Sequence, residues 1–382
     1  MPTFDASKEW IILLPPDTAH VRKVAEDLSR YIGLLANLGR DRPPKPPIIL
    51  DAHSSRPSDA IIVLSSENNK PEQNGFSWRA ESDRVEIYGE SCRGLCNGIY
   101  SFLAALGINW PTSGQETLPK PGTDLVSTQG TDPSSKFPLT INKIHEPSGD
   151  RPSGHGDRPS KHEAPPPTTA PSAAQIRRFI PAGTKVVKDI LKNGEDFAAW
   201  AARKRYDAIV FPLSAFTSVS TRGKLKRFKQ AAKEYDISLE TGGRALSLLV
   251  PRKYFLFHRD FFRMEEGRRK KAHHFCPTDP GTIGVINKEG AKLFQAAEGV
   301  EVFHLWPDKG AETVWCSCPT CRAFTPAEQN RIAVNAAADV LSRINPGASI
   351  TFYEKDGEDI NIPLRKNLFK LEKLPDGKNL SE

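Results

Sequence analysis

Residues 300–322 read VEVFHLWPDKGAETVWCSCPTCR, and the fold of the second half of the chain turns on how they are read. The apolar run Val302–Leu305 has the length of a buried strand, and it stops abruptly at Trp306-Pro307-Asp308. An aromatic and an acid delivered just past a strand end fit the C-terminal face of an α/β barrel, where barrel active sites sit. Cys316, Cys318 and Cys321 follow within one loop, so metal or sulfur chemistry is expected to stiffen the segment behind the acid.

Working outward, the pattern from Arg177 alternates strand and helix, the sign of a parallel sheet. Strands are expected over 177–180, 208–213, 237–241, 300–305, 349–353 and 367–371. Helices fall around Phe197, Trp200 and Ala201, over 224–235, from Pro280 onward and over 325–344. Thr325-Pro326-Ala327-Glu328 has the form of a capping box. A closed eight-stranded barrel takes about 250 residues, and roughly 200 follow Arg177. The barrel therefore reads as truncated at its C-terminus, with an open edge through which copies could associate.

Residues 9–110 read as a separate α/β unit. A strand over 9–14 leads, after a capping Asp17, into a helix to Leu38 with Val21, Val24, Leu28, Ile32 and Leu35 at helical spacing. Pro43–Pro47 breaks the chain. A buried strand over 59–64, a hairpin over 76–88 and a helix over 91–106 follow, the last with Leu95, Ile99, Phe102, Leu103 and Leu106 on one face. Residues 147–173 hold Pro, Gly, Ser, His and charge with no aliphatic larger than alanine, so a flexible linker is expected there. The expected organisation is an α/β domain over 1–130, a linker over 131–176 and a partial barrel over 177–382.

The chain has 382 residues, 38% of them apolar, enough for more than one core. No apolar run is long enough to span a bilayer, and no basic n-region marks a secretory signal, so a cytoplasmic address is expected. Lys and Arg total 53 against 46 Asp and Glu, a net charge of +7. The basic residues are scattered, and the densest run, Arg268 to Lys271, reads as a solvated loop, so nucleic acid is not the expected partner. Six cysteines in a chain this long, without an export signal, do not read as a disulfide framework. Cys92 and Cys96, four apart on a helix, read as small core residues.

Several stretches carry a family resemblance. VEIYGESCRGLCNGIYSFLAALGINWP, over 85–111, resembles the N-terminal domain that precedes the catalytic barrel in β-N-acetylhexosaminidases and α-glucuronidases. Residues 179–216, 242–269, 274–283 (HFCPTDPGTI), 301–310 and 315–322 (WCSCPTCR) are similar to a bacterial family classed mostly as a domain of unknown function. That family neighbours the family 163 endo-β-N-acetylglucosaminidases. The resemblance implies a glycoside hydrolase-like protein with an α/β appendage and a barrel. Members often carry histidine after the Gly-Gly pair, where this chain has Arg244.

Glycosidases usually need two carboxyl groups, one acid and one base or nucleophile; in hexosaminidase-like enzymes the substrate's own acetamido group replaces the nucleophile, one carboxyl orienting it while another protonates the leaving oxygen. Asp308 is the expected key carboxylate, against the plainer reading of a turn-capping aspartate. Glu354, ending the fifth barrel strand, and Glu312, in the Asp308 loop, are the candidate partners, though Glu354 adjoins a plain acidic loop at Asp356, Glu358 and Asp359. Trp306 is the candidate wall against a sugar ring. Arg244, Glu240 and His258 are candidate substrate contacts, with an Arg244–Glu240 structural pair as the alternative. His304, inside its strand, reads as a satisfied core residue. Cys316, Cys318 and Cys321 need a fourth ligand for a tetrahedral zinc. Cys276 is the first candidate, and His273 or His274 the others. Any zinc there would be structural, with reduced cysteines bracing the loop as the alternative, and the hydrolysis itself would need no cofactor. Two rival functions remain: a catalytically inactive carbohydrate-binding remnant, and a zinc-stabilised nucleic-acid binder.

Overall fold

A computed structural model describes residues 4–16, 19–38, 46–51, 60–66, 74–120, 129–131, 177–181, 183–354 and 360–371. The expected linker, Asp17, and the acidic loop at 355–359 lie outside these residues.

The first half comprises β1 (Trp10–Leu14), α1 (Ala19–Ala36), β2 (Ile48–Asp51), β3 (Ala60–Ser66), β4 (Phe76–Ala80), β5 (Arg84–Gly89), α2 (Cys92–Ala105) and β6 (Gln129–Thr131). They form one six-stranded sheet in the order β2-β1-β3-β5-β4-β6. β2, β1, β3 and β5 run parallel, whereas β4 is antiparallel to both β5 and β6. Burial alternates along β3 and β5, as it must where the two faces of a sheet are covered unequally. The apolar stripes of α1 and α2 expected from spacing are the ones that are buried. The Ser91 hydroxyl caps α2 by accepting from Gly94 N at 3.0 Å. The proline-rich break does not end the sheet: β2 follows it as an exposed edge strand too short for its alternation to register in sequence.

The second half comprises β7 (Arg178–Phe179), α3 (Gly183–Lys192), α4 (Gly194–Arg203), β8 (Ala208–Phe211), α5 (Leu213–Thr217), α6 (Val219–Glu234), β9 (Ser238–Gly243), β10 (Met264–Glu265), β11 (Arg268–Arg269), α7 (Pro280–Val285), α8 (Ala291–Ala296), β12 (Val302–Leu305), α9 (Pro326–Ile344), β13 (Ser349–Tyr353) and β14 (Leu368–Leu371). The main sheet is wholly parallel and its strands follow chain order, β7-β8-β9-β12-β13-β14. Among the described residues β7 and β14 are its two edges. The strand expected over 208–213 stops at Phe211, because Pro212 lacks the N–H a ladder needs and Leu213 opens α5. The capping box at Thr325 and Glu328 forms as expected. No helix among the described residues is long and apolar enough to cross a membrane.

Side chains alternate between the faces of these strands. Ile209, Phe211, Phe303, Leu305, Ile350 and Phe352 lie on the helix-covered face, where Phe211 meets Phe228 of α6 and Phe303 meets Phe294 of α8. By register, Arg178, Glu240, His304 and Thr351 share the opposite face.

The two halves are bolted together. Arg93 of α2, 5% exposed, donates to Asp207 Oδ1 at 3.2 Å, Tyr235 O at 2.9 Å and Tyr206 O at 2.6 Å. Arg203 of α4 pairs Asp27 of α1 at 3.1 Å, and Trp200 Nε1 donates to Trp110 O at 3.2 Å. One apolar cluster runs through both halves.

Candidate functional site at the C-terminal edge of the parallel sheet

In a parallel sheet all strands end on one side, so residues distant in sequence meet there. Arg244 follows β9 directly, Glu354 follows β13 directly, and Asp308 and Glu312 lie in the segment after β12. Gly242 and Gly243 have φ values of +118° and +103°. A Cβ at Gly242 would overlap the His304 carbonyl, so only glycine lets β9 turn this close to β12. The contact is then secured by Trp306 N donating to Gly243 O at 2.8 Å and Leu246 N donating to Trp306 O at 3.2 Å.

Asp308 sits where the sequence placed it, with its side chain 23% exposed. Ser247 Oγ donates to its Oδ1 at 2.8 Å. Its Oδ2 faces Arg252 Nη2 at 3.6 Å and His273 Nδ1 at 3.7 Å. Those two contacts are too long to be hydrogen bonds, so Oδ2 keeps accepting capacity. His273 holds a left-handed backbone, φ +62°, and is 40% exposed. Arg252 Nη1 is buried with no hydrogen-bond partner among the described residues. Glu312 pairs Arg244 at 2.7 Å, and the same Arg244 nitrogen donates to Pro307 O at 3.2 Å. Burial pushes the Glu312 carboxyl up, but the Arg244 donor and backbone N–H groups outweigh it, so its pKa lies below the ordinary 4.5.

Beneath this rim lies a buried polar row. Glu240, 3% exposed, accepts from Arg178 Nε at 2.6 Å and lies 2.8 Å from His304 Nε2. Burial pushes its carboxyl up, but His304 and Arg178 outweigh that and hold it below 4.5. Burial also pushes His304 below its ordinary 6.5, although Glu240 opposes it. An ionised Glu240 beside a neutral ring fixes every proton in the row. His304 Nε2 donates to Glu240, Thr351 Oγ1 donates to His304 Nδ1 at 2.6 Å, and Trp306 Nε1 donates to Thr351 Oγ1 at 3.1 Å. His304 is thus the satisfied core residue its position suggested. Glu240 pairs Arg178 and His304, whereas Arg244 pairs Glu312, so the expected Arg244–Glu240 alternative is replaced by two separate pairs.

The remaining candidates are placed as follows. Glu354, its side chain 1% exposed, is bound in a fork by Arg331 of α9 at 2.7 and 2.9 Å, with Lys370 at 3.5 Å. Alternation puts Glu354 on the helix-covered face, opposite Thr351. There its carboxylate is held by a helix arginine. Trp306 is 4% exposed and its indole N–H is engaged, so it floors the rim and offers no open ring face. His258 is exposed and stacks on Phe261 at 4.7 Å. Ser247 and Arg252, which cradle Asp308, escaped sequence reading because no spacing rule links positions that far apart.

Four cysteines converge behind the rim. Cys276, Cys316, Cys318 and Cys321 are 0–5% exposed, and their sulfurs all lie within 4.8 Å of one another. Cys276 Sγ is 3.7 Å from Cys318 Sγ and 3.6 Å from Cys321 Sγ. All are free thiols. The histidines weighed as the fourth member are engaged elsewhere. His274 Nε2 lies 2.8 Å from Ala311 O with its ring stacked on Trp315 at 4.5 Å, and His273 faces Asp308. Two surface hollows of about 410 and 450 Å³, one between α9 and the stretch holding Ile362, Pro363 and Arg365, the other near Asn193 and Lys224, do not include Asp308.

No protein-family model matches the chain, and no curated protein matches it. Solved structures do match in fold. A GH138 enzyme targeting pectin rhamnogalacturonan II aligns over 95% of this chain and 38% of its own, with a TM-score of 0.50 and 10% identity. The chitobiase of Flavobacterium johnsoniae aligns over 99% of this chain and 54% of its own, with a TM-score of 0.50 and 12% identity. The chain thus spans about half or less of the length of these structures. At such identities the likeness is one of fold: a mixed α/β architecture that glycoside hydrolases use.

Proposed function

We propose that this is a glycoside hydrolase-like protein acting on N-acetylhexosamine-containing or related glycans, with Asp308 as its key carboxylate. The observation that carries the reading is the state of Asp308: a carboxylate at the C-terminal edge of the sheet, positioned by Ser247 and yet partly open. The fold likeness to a chitobiase supports the substrate class. In this reading the free lobe of Oδ2 accepts the N–H of a substrate acetamido group and turns its carbonyl toward the anomeric carbon. Arg252 offers a further donor to sugar hydroxyls, and His273 places an imidazole beside the carboxylate. Glu312 is held ionised by Arg244, so it serves as an acceptor of hydroxyl hydrogens.

A second reading, a carbohydrate-binding protein without turnover, is favoured by one specific observation. Both partner carboxylates considered for Asp308 are already committed, Glu354 to Arg331 and Glu312 to Arg244. The full chain assayed on nitrophenyl N-acetylhexosaminides and on N-glycans separates the two. The first reading expects product release that Asp308→Asn abolishes; the second expects calorimetric binding with no product. Turnover unaffected by Asp308→Asn would remove the aspartate from the mechanism.

A further inference from the structure

We propose that Cys276, Cys316, Cys318 and Cys321 form a structural tetrathiolate zinc site that locks the β9–α7 segment to the β12–α9 segment. A zinc with bonds of about 2.3 Å to four sulfurs in a tetrahedron spaces those sulfurs ~3.8 Å apart. The Cys276 contacts of 3.6 and 3.7 Å match that edge and are far longer than the ~2.05 Å of a disulfide. Four thiols packed this tightly away from water, with only Met264 among their partly buried apolar neighbours, gain little as a hydrophobic cluster and much as ligands.

The surroundings suit an anionic sulfur cage. Met264 N donates to Cys316 Sγ at 3.2 Å, and Cys321 N to Cys318 Sγ at 3.5 Å. Arg269 Nη1 lies 3.8 Å from Cys316 Sγ, bringing positive charge to a cage that keeps net negative charge after binding a dication. Gln329 of α9 clamps the ligand loop from the other side, accepting from Cys316 N at 3.0 Å and donating to Cys316 O at 3.1 Å and Cys321 O at 3.2 Å. All four positions are protein sulfurs, which leaves no open coordination site for catalysis.

The site has a positional consequence. Cys276 closes the segment that carries Ser247, Arg252 and His273, while the other three cysteines belong to the segment that carries Asp308. The metal therefore fixes the two sides of the Asp308 contacts against each other. This inference does not depend on the glycosidase reading.

The test is metal analysis of the full chain purified under reducing conditions with zinc supplied. About one zinc per chain is expected, released by an organomercurial in step with the reaction of four thiols. Cys276→Ser should lose the zinc, whereas Cys92→Ser, on α2, should keep it. Replacement by cobalt should give the visible absorption of a tetrahedral thiolate site. Should Cys276→Ser fail to fold, the metal content and thiol count of the unaltered protein still decide. A folded chain that holds no metal after zinc supply, a disulfide among the four, or iron in place of zinc would each overturn the assignment.

Discussion

Two carboxylates belong to neighbouring strands of one sheet and have met opposite fates. Glu240, on β9, is 3% exposed and saturated by Arg178 and His304 at hydrogen-bonding distances. Asp308, just past β12, is 23% exposed, holds one short contact to Ser247 and keeps Arg252 and His273 beyond hydrogen-bonding reach. A buried, fully satisfied network stabilises and specifies a core, but it has nothing left to offer a ligand. An acid at the same sheet edge with capacity in reserve is the one that can act. The difference lies in how many partners each carboxylate has found, which residue type alone does not reveal.

Breaking each carboxylate in turn sharpens the contrast. The largest effect belongs to Asp308→Asn, which should reduce glycoside turnover by roughly 10²- to 10⁴-fold while leaving the denaturation midpoint nearly unchanged. Glu240→Gln should do the reverse. Removing one partner of a buried ion pair costs about 3–5 kcal/mol, so urea unfolding should show a large stability loss. A Glu240→Gln variant as stable as the parent would show the row to be less tightly bound than its distances imply.

Acid should expose the same row. The folded His304 resists protonation, so below its ordinary pKa of 6.5 the unfolded chain takes up the proton more readily and stability falls as pH drops. Glu240 behaves alike from about 4.5 downward, since its depressed pKa delays protonation in the folded state. Urea midpoints measured from neutrality into acid should therefore decline first through the histidine range and then more steeply. Replacing His304 by asparagine should shrink the first decline, the remainder belonging to His274, which burial also holds below 6.5. The smallest effect is expected at the rim pair: its side chains are 28–35% exposed, so Glu312→Gln should change stability by only about 0–1 kcal/mol. A larger loss would place Glu312 with Glu240 as a structural acid.

Much of this was legible beforehand, for identifiable reasons. Strong periodic faces such as those of α1, α2 and α9 declare themselves, and the run Val302–Leu305 ending in Trp-Pro-Asp located both β12 and the acid beyond it. The cysteine spacing and the choice of Cys276 as fourth member likewise came from sequence, because Cys276 precedes the helix that leads into β12. Pairings across strands were not legible. Whether Arg244 met Glu240 or Glu312, and whether Glu354 faced Asp308 or α9, depended on register and on which face of the sheet each side chain took. α3 went unread because its four apolar residues sit between lysines in a short amphipathic turn. β2 is an exposed four-residue edge whose pattern carries no alternation.

Asp207 draws on donors from both halves of the protein: Arg93 Nε and Asn97 Nδ2, each at 3.2 Å, from α2, and Arg177 N at 2.8 Å from its own half. Excising the parallel sheet from the preceding residues would strip this carboxylate of Arg93 and Asn97 and open the buried contact between the halves to water. Neither portion is therefore suited to life as a detachable module, and the described molecule should lose its structure in one cooperative step.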